Sequence, residues 1–198
     1  MSAILLYDVK YPHNLGNVIR SAACYGVDSV YVYGRRWEDG LSSETMSKKG
    51  FRLPREERMR DYAKVNWKVL ESDKPFDEIM WLRAHERMEI PESRRPSGAP
   101  LTPVAVEITP SSELLPQFEH PQDALYVFGP EDGTLGKVPL MHCHRFVKIP
   151  TYHCLNLANA VGTVLYDREM KVVLAGGDPK ATGGEALDWL LTGRYASS

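Results

Sequence analysis

The sequence predicts an α/β domain, a parallel sheet flanked by helices. Three observations carry this expectation. A strand, a helix and a second strand follow one another before residue 34. Short apolar runs bounded by turn residues recur at 124–128 and 145–149, and a long apolar helix follows the last of them. In chain order, Ala3–Val9 (AILLYDV) reads as a buried strand that stops at Lys10-Tyr11-Pro12. Asn14–Gly26 reads as a helix, with Asn14 as N-cap and Gly26 as its stop. At about 100° per residue, Leu15, Val18, Ile19, Ala22, Ala23 and Tyr25 share one broad face, and Gly16, Arg20 and Cys24 fall on the other side. Ser29–Tyr33 is the next strand and completes a βαβ unit.

Residues 34–80 are polar and charged, with helices expected near 55–65 and 76–87. Pro91–Pro103 is rich in proline and reads as a loop. Val104–Ile108, Ala124–Phe128 and Arg145–Ile149 read as strands, and 129–136 as a glycine-rich turn. Cys154–Val173 is the longest helix, apolar on nearly all sides and so expected to be buried. The domain is therefore drawn as 1–175 with an insertion at about 34–103, followed by a tail over 176–198.

A chain of 198 residues, 43% of them hydrophobic, can bury a core without staples. Cys24, Cys143 and Cys154 cannot build a disulfide framework, which suggests a reducing compartment. No stretch reaches the roughly 20 apolar residues of a membrane span, and the N-terminal run lacks the flank of a secretory signal. A cytoplasmic location and no membrane partner are the expectation. The net charge of −2 argues mildly against nucleic acid. Distribution matters more than the sum. Residues 34–60 carry eight basic side chains (Arg35, Arg36, Lys48, Lys49, Arg52, Arg55, Arg58, Arg60), diluted by five acidic ones.

Three segments carry chemistry. In Asn14–Arg20, Gly16 leaves the first helical turn bare and Arg20 lies one turn later, an arrangement suited to an anion, although an ordinary amphipathic helix with a surface arginine has the same pattern. In Phe128–Gly136 (FGPEDGTLG), the turn follows a buried strand, where open parallel sheets bind ligands. Glu131 and Asp132 would repel a phosphate, so a cationic or neutral cofactor suits it better. In the segment from Ile149 to Asp167, Asn156, Asn159 and Thr163 form one polar stripe on an apolar helix, and buried amides need partners.

These segments, Asn14-x-Gly16-x-x-x-Arg20, Phe128-Gly129-Pro130-Glu131-x-Gly133 and Ile149-Pro150 followed by Leu155-Asn156, resemble motifs one, two and three of the SPOUT superfamily, in its SpoU/TrmH branch of RNA methyltransferases. The resemblance covers 3–33 and about 104–170, and is greatest to the minimal tRNA ribose methyltransferases without an added RNA-binding domain. It implies a parallel sheet with a C-terminal trefoil knot, a homodimer, and S-adenosylmethionine held in the knot near Val106, Gly129, Ile149, Cys154 and Leu155. It also implies 2′-O-methylation of a ribose in tRNA or rRNA, with Arg20, Asn14, Glu131 and Asn156 as the catalytic set and Arg20 close to the cofactor of the partner subunit. Arg20 would bind the phosphate beside the target ribose and stabilise charge on its oxygen. Asn14 would hold the loop that presents Arg20, Glu131 would order the motif-two loop or pair with Arg20, and Asn156 would orient substrate or cofactor. Cys154 stands where the family usually has serine, a better hydrogen-bond donor.

Four rivals are weighed against this. His142, Cys143, His144, His153 and Cys154 match no common zinc spacing, so no metal is expected. A catalytically silent RNA-binding protein of the same fold would be consistent with Cys154. A nucleotide-binding enzyme using the Gly129 loop is disfavoured by the acidic residues in it. Base methylation is disfavoured by the Asn14–Arg20 pattern.

Overall fold

The computed structural model describes residues 2–39, 65–89 and 100–177. Along the chain follow β1 (Ser2–Tyr7), α1 (Pro12–Cys24), β2 (Ser29–Tyr33), β3 (Asn66–Val69), α2 (Pro75–Glu89), β4 (Thr102–Val106) and β5 (Glu113–Leu114). After a 3-10 turn over Leu115–Gln117 come β6 (Ala124–Phe128), α3 (Lys137–His142), β7 (Arg145–Lys148) and α4 (Leu157–Leu174). The strands form one sheet in the order β3-β2-β1-β6-β4-β7-β5, and every pairing is parallel. The α/β parallel architecture expected from the sequence is therefore present.

The sheet is covered on both faces, as parallel sheets require. Alternate residues of β1 separate the two cores. Ile4 and Leu6 pack with Leu15, Val18 and Ala22 of α1 and with Leu157, Val161, Val164 and Leu165 of α4. Ala3 and Leu5 pack with Phe76 and Ile79 of α2 and, beside α3, with Leu135 and Cys143. The crossover from β1 through α1 leads outward to β2, whereas that from β6 through α3 leads the other way, to β7. The direction of winding thus reverses between β1 and β6, the position at which open parallel sheets bind ligands beyond the carboxyl ends of their strands.

Several boundaries differ from the sequence reading, each for a physical reason. α1 starts at Pro12, not at Asn14, and its N-cap is Tyr11. Proline suits the first helical position because its missing N–H costs nothing there. The helix ends as expected: Gly26 has φ +59°, and Gly26 and Val27 donate to the carbonyls of Ala23 and Ala22. β4 begins at Thr102 and includes Pro103, tolerated because it sits at the start of the strand. α4 begins at Leu157 behind Asn156 and is buried along one face only; Tyr166, Val173 and Leu174 are exposed. Asn156 and Asn159 are both exposed and the Asn159 carbonyl accepts from Thr163, so the expected buried polar stripe is absent, and of the two amides Asn156 has side-chain partners, Asn14 and the Ala158 amide. The short elements β3, β5 and α3 were not anticipated. Residues 66–89, within the stretch expected as an insertion, add an edge strand and a helix to the same sheet. The helix expected near 76–87 is α2, and that expected at 55–65 lies outside the described residues apart from Val65.

At the amino end of the sheet, α4 is tied down by a buried polar cluster. Arg168 donates to the carbonyls of Pro121 and Gln122 (both 2.7 Å) and to the Tyr126 hydroxyl (3.1 Å). His120 bridges Tyr126 (2.6 Å) and Asp167 (2.8 Å). Burial pushes the His120 imidazole down to about 4, against the opposing pull of Asp167. The ring is thus neutral at neutral pH. Because a carboxylate only accepts, Nε2–H donates to Asp167 and Nδ1 accepts from Tyr126. Lys171 completes the cluster on Asp167 and on the carbonyls of Leu115 and Phe118.

Candidate active site at the carboxyl edge of the sheet

The structure brings Asn14, Glu131 and Asn156 into one hydrogen-bonded chain. Asn14 is buried, 1% exposed, so its amide must be satisfied within the protein. Its Nδ2 donates to Glu131 Oε1 (2.6 Å), and its Oδ1 accepts from Asn156 Nδ2 (2.9 Å). Asn156 Oδ1 in turn accepts from the Ala158 amide (2.9 Å) and caps α4. The carboxylate fixes both amide orientations, because it can only accept. One glutamate thereby sets the relation between the first turns of α1 and α4.

Glu131 also receives the backbone amides of Lys10 (2.8 Å) and Tyr11 (3.3 Å) at the entrance to α1. A carboxylate there is favoured by the helix dipole, by about 0.3–1 kcal/mol. This corrects the reading of the α1 N-terminus as an open anion site: its entrance already holds an anion, supplied by the motif-two loop.

That loop, 129–136, is anchored at two separate places. Near its ends, Leu135 donates its amide to Glu107 Oε2 (2.9 Å), just beyond β4. A Cβ on Gly129 would meet the Leu135 nitrogen at 3.1 Å, so glycine lets the loop close on itself. In the middle, Asp132 accepts from Lys10 Nζ (3.0 Å) and from Arg36 (3.0 and 2.8 Å). Hydrogen bonds from Arg36 and Lys10 hold the Asp132 carboxyl down at about 2. The same guanidinium reaches the Asp8 carbonyl (3.3 Å) and carboxylate (3.2 Å). Asp8 itself turns the chain at φ +57°, and a Cβ on Gly34 would lie 2.8 Å from its Oδ1.

Three of the expected cofactor residues lie at the ends of adjacent strands. Val106 is in register with Phe128 of β6 and Val147 of β7, so Val106, Gly129 and Ile149 line one shelf. Beyond it, 150–156 is exposed, including Cys154 and Leu155. Arg20 is not part of the Asn14 cluster. Six residues along α1 place it about 9 Å away and about 120° around the axis from Asn14. It is half-buried and has no hydrogen bond or ion pair among the described residues.

The basic patch is corrected in part. Arg35 pairs with Glu38 (2.8 Å) and Glu71 (2.6 Å), and Arg36 with Asp8 and Asp132. Lys48, Lys49, Arg52, Arg55, Arg58 and Arg60 lie outside the described residues. Lys10, Asp8 and Glu107 were missed by sequence reasoning. Their only signal is position immediately after a strand. Among the described residues no group of three or more histidine, cysteine or acidic side chains could hold a metal. His142 stacks on Phe76, and burial pushes the Cys143 thiol up to about 12. Nor is any described helix long and apolar enough to cross a membrane.

Known proteins share this fold. The SpoU rRNA Methylase family matches residues 77–166, which include Glu131 and Asn156 but not Asn14 or Arg20. No curated protein matches. Among solved structures, the TrmH/SpoU tRNA modifying enzyme of A. aeolicus is 16% identical, with a TM-score of 0.63 over 96% of this chain and 85% of that one. The SpoU methyltransferase AviRb of Streptomyces viridochromogenes, solved with AdoMet, is 18% identical, with a TM-score of 0.60 over 87% of this chain. This chain spans 60% of AviRb. A structure described as concerning 2-OH methylation of C/U34 on tRNA is 22% identical, with a TM-score of 0.59 over 87% of this chain and 91% of that one. At these identities the likeness is one of fold. Residues 77–166 thus resemble the SpoU rRNA Methylase family, and the fold is shared with SpoU and TrmH methyltransferases.

Proposed function

We propose that the protein is an S-adenosylmethionine-dependent methyltransferase that modifies a ribose 2′-hydroxyl in tRNA or rRNA. The observation that carries the reading is the Glu131–Asn14–Asn156 chain, which joins the three motif segments at the carboxyl edge beside the Val106–Gly129–Ile149 shelf. The shelf fits the cofactor in two respects. It is made of strand ends, which offer backbone groups to a ligand, and the neighbouring loop carries carboxylates rather than a phosphate-binding turn. Val106, Gly129, Ile149, Cys154 and Leu155 would hold S-adenosylmethionine, within the C-terminal trefoil knot that the family resemblance implies. The cofactor supplies a methyl group on a sulfonium leaving group.

The protein's part is positioning and charge stabilisation. The bound cofactor would supply its methyl group to the ribose oxygen, with the thioether as leaving group, and the hydroxyl proton would pass to solvent. Arg20 binds the adjacent phosphate and stabilises the developing oxyanion. Its direction away from the Asn14 cluster of its own chain supports action across a homodimer, toward the partner's shelf. Asn14, Glu131 and Asn156 keep α1 and α4 in register so that this reach is fixed. The cytoplasm is the proposed location.

Calorimetric titration with S-adenosylmethionine, with NAD and ATP as controls, tests the cofactor. One methyl donor per subunit and no binding of the controls is expected. Methylated RNA digested with alkali should then yield resistant dinucleotides, which mark a 2′-O-methyl ribose. A methylated base instead would overturn the ribose assignment. Failure to bind the methyl donor would favour a catalytically silent RNA-binding protein, with Cys154 in place of the family serine as the cause.

A further inference from the structure

The motif-two loop has two anchors of different kinds on opposite sides. Glu107 holds the Leu135 amide on the side of β4, whose end forms the cofactor shelf. Arg36 and Lys10 hold Asp132 on the side of β1 and β2, next to Glu131. From these contacts we propose that Arg36 and Asp132 are positioning residues for methyl transfer: they clamp the middle of the loop so that Glu131 holds α1, and with it Arg20, in place. This rests on the function proposed above. Among the described residues neither is hydrogen-bonded to a shelf residue, Arg36 lies outside the three motif patterns, and Asp132 occupies only the variable position of the second.

The geometry is specific to a forked side chain. Arg36 reaches Asp8 through NH1 and Asp132 through NH2, so one guanidinium ties the end of β1 to the loop that follows β6. The Asp8 turn and the bare Cα of Gly34 bring this end of β1 close enough to be reached. Exposed ion pairs are individually weak, but a forked arginine within a network of several charges is the case in which geometry counts. A lysine cannot fork in this way. The clamp acts on position rather than on charge at the reacting atoms. Loosening it frees Glu131 from the Lys10 and Tyr11 amides and leaves the Leu135 anchor intact.

The test uses the full chain and two readouts. Amide exchange is followed at Lys10 and Tyr11, which donate to Glu131, and at Leu135, which donates to Glu107. Arg36→Ala and Asp132→Ala should each speed exchange at Lys10 and Tyr11 and leave Leu135 unchanged. Turnover is measured with radiolabelled S-adenosylmethionine and total RNA from cells lacking the gene, and cofactor affinity by calorimetry. Each variant should lose about tenfold in kcat while the cofactor Kd stays within about twofold. The double variant should fall no further than Asp132→Ala alone, because the two act through one contact. Arg36→Lys, which keeps charge without the fork, should lie between wild type and Arg36→Ala, and it replaces that variant if alanine prevents folding. Glu107→Gln should show the opposite split, a raised Kd with faster exchange at Leu135. Unchanged exchange at Lys10 and Tyr11, unchanged kcat in Arg36→Ala, or a kcat loss that tracks Kd would each overturn the inference. Wild-type protein that binds no S-adenosylmethionine would instead overturn the functional reading, and with it the role in methyl transfer.

Discussion

The two ends of the sheet are both organised by polar networks, and the networks differ in kind. At the amino end, His120, Tyr126, Asp167, Arg168 and Lys171 are largely buried, and they bind carbonyls of one loop to one helix. At the carboxyl end, Arg36, Asp132 and Lys10 are partly open to solvent, and with Glu131 and Asn14 they join four segments remote in sequence. A buried network holds because its members have no water to turn to, so removing one leaves its partners unsatisfied. A half-open network has water as an alternative, so removing one member costs little stability but relaxes geometry. The first kind builds the fold and the second kind aims a site.

Variants at the two ends should therefore separate stability from turnover. The largest effect is expected at Arg20. Arg20→Ala should lower turnover by about 10²–10³-fold, the usual cost of removing a charge-stabilising donor, with cofactor affinity and thermal midpoint unchanged. Retained turnover would break the proposed mechanism. Next is Arg168→Met, which strips donors from the Pro121 and Gln122 carbonyls and the Tyr126 hydroxyl. It should cost about 3 kcal/mol in urea unfolding while leaving cofactor affinity intact at low temperature. If affinity fell with stability, the two ends would not be independent.

A smaller effect concerns pH. His120 is neutral in the folded protein down to about 4, whereas its ordinary value is 6.5. Between those values the unfolded chain binds the proton and the folded one does not, so stability falls as pH drops through this window and levels off below it. His120→Gln should flatten that slope, as read from unfolding midpoints between pH 7 and pH 4. Asp132, held at about 2, stays ionised in the folded protein, so its own contribution is confined to the acid end of this range, where the unfolded carboxylate, ordinarily at 3.8, begins to bind its proton. Smallest of all is Cys154→Ser. The exposed thiol has no hydrogen bond among the described residues, and a hydroxyl there should tighten S-adenosylmethionine binding by about two- to fivefold in calorimetry.

Much of this arrangement was legible in the sequence. Strand β6, five consecutive buried residues, falls where the run ALYVF predicts, because burial on both faces leaves no polar interruption. The three motif segments were visible as short patterns, and the structure joins Asn14, Glu131 and Asn156. What was not legible depends on distance along the chain. Arg36 read as surface charge because its partner Asp132 lies 96 residues away. Glu107 gave no local sign of the Leu135 amide it holds. Strand β3 was missed because Asn66 and Trp67 are exposed, so an edge strand of NWKV has neither alternation nor an apolar run. Asn14 looked like an N-cap because asparagine favours that position, but Pro12 set the start and the buried amide was needed for Glu131.

The position of β6 has a consequence for how the protein is made. It lies between β1 and β4, and Glu131, just after it, secures the entrance of α1 from 117 residues further along the chain. On a ribosome, β1 and β2 can pair early, but the other edge of Ala3–Leu6 stays open until residues 124–128 have emerged. An apolar open edge is a template for wrong pairing. A nascent chain stalled before that point should aggregate rather than fold in part, and completion of the sheet from its middle makes the emergence of residues 124–128 the step at which this domain commits to its native state.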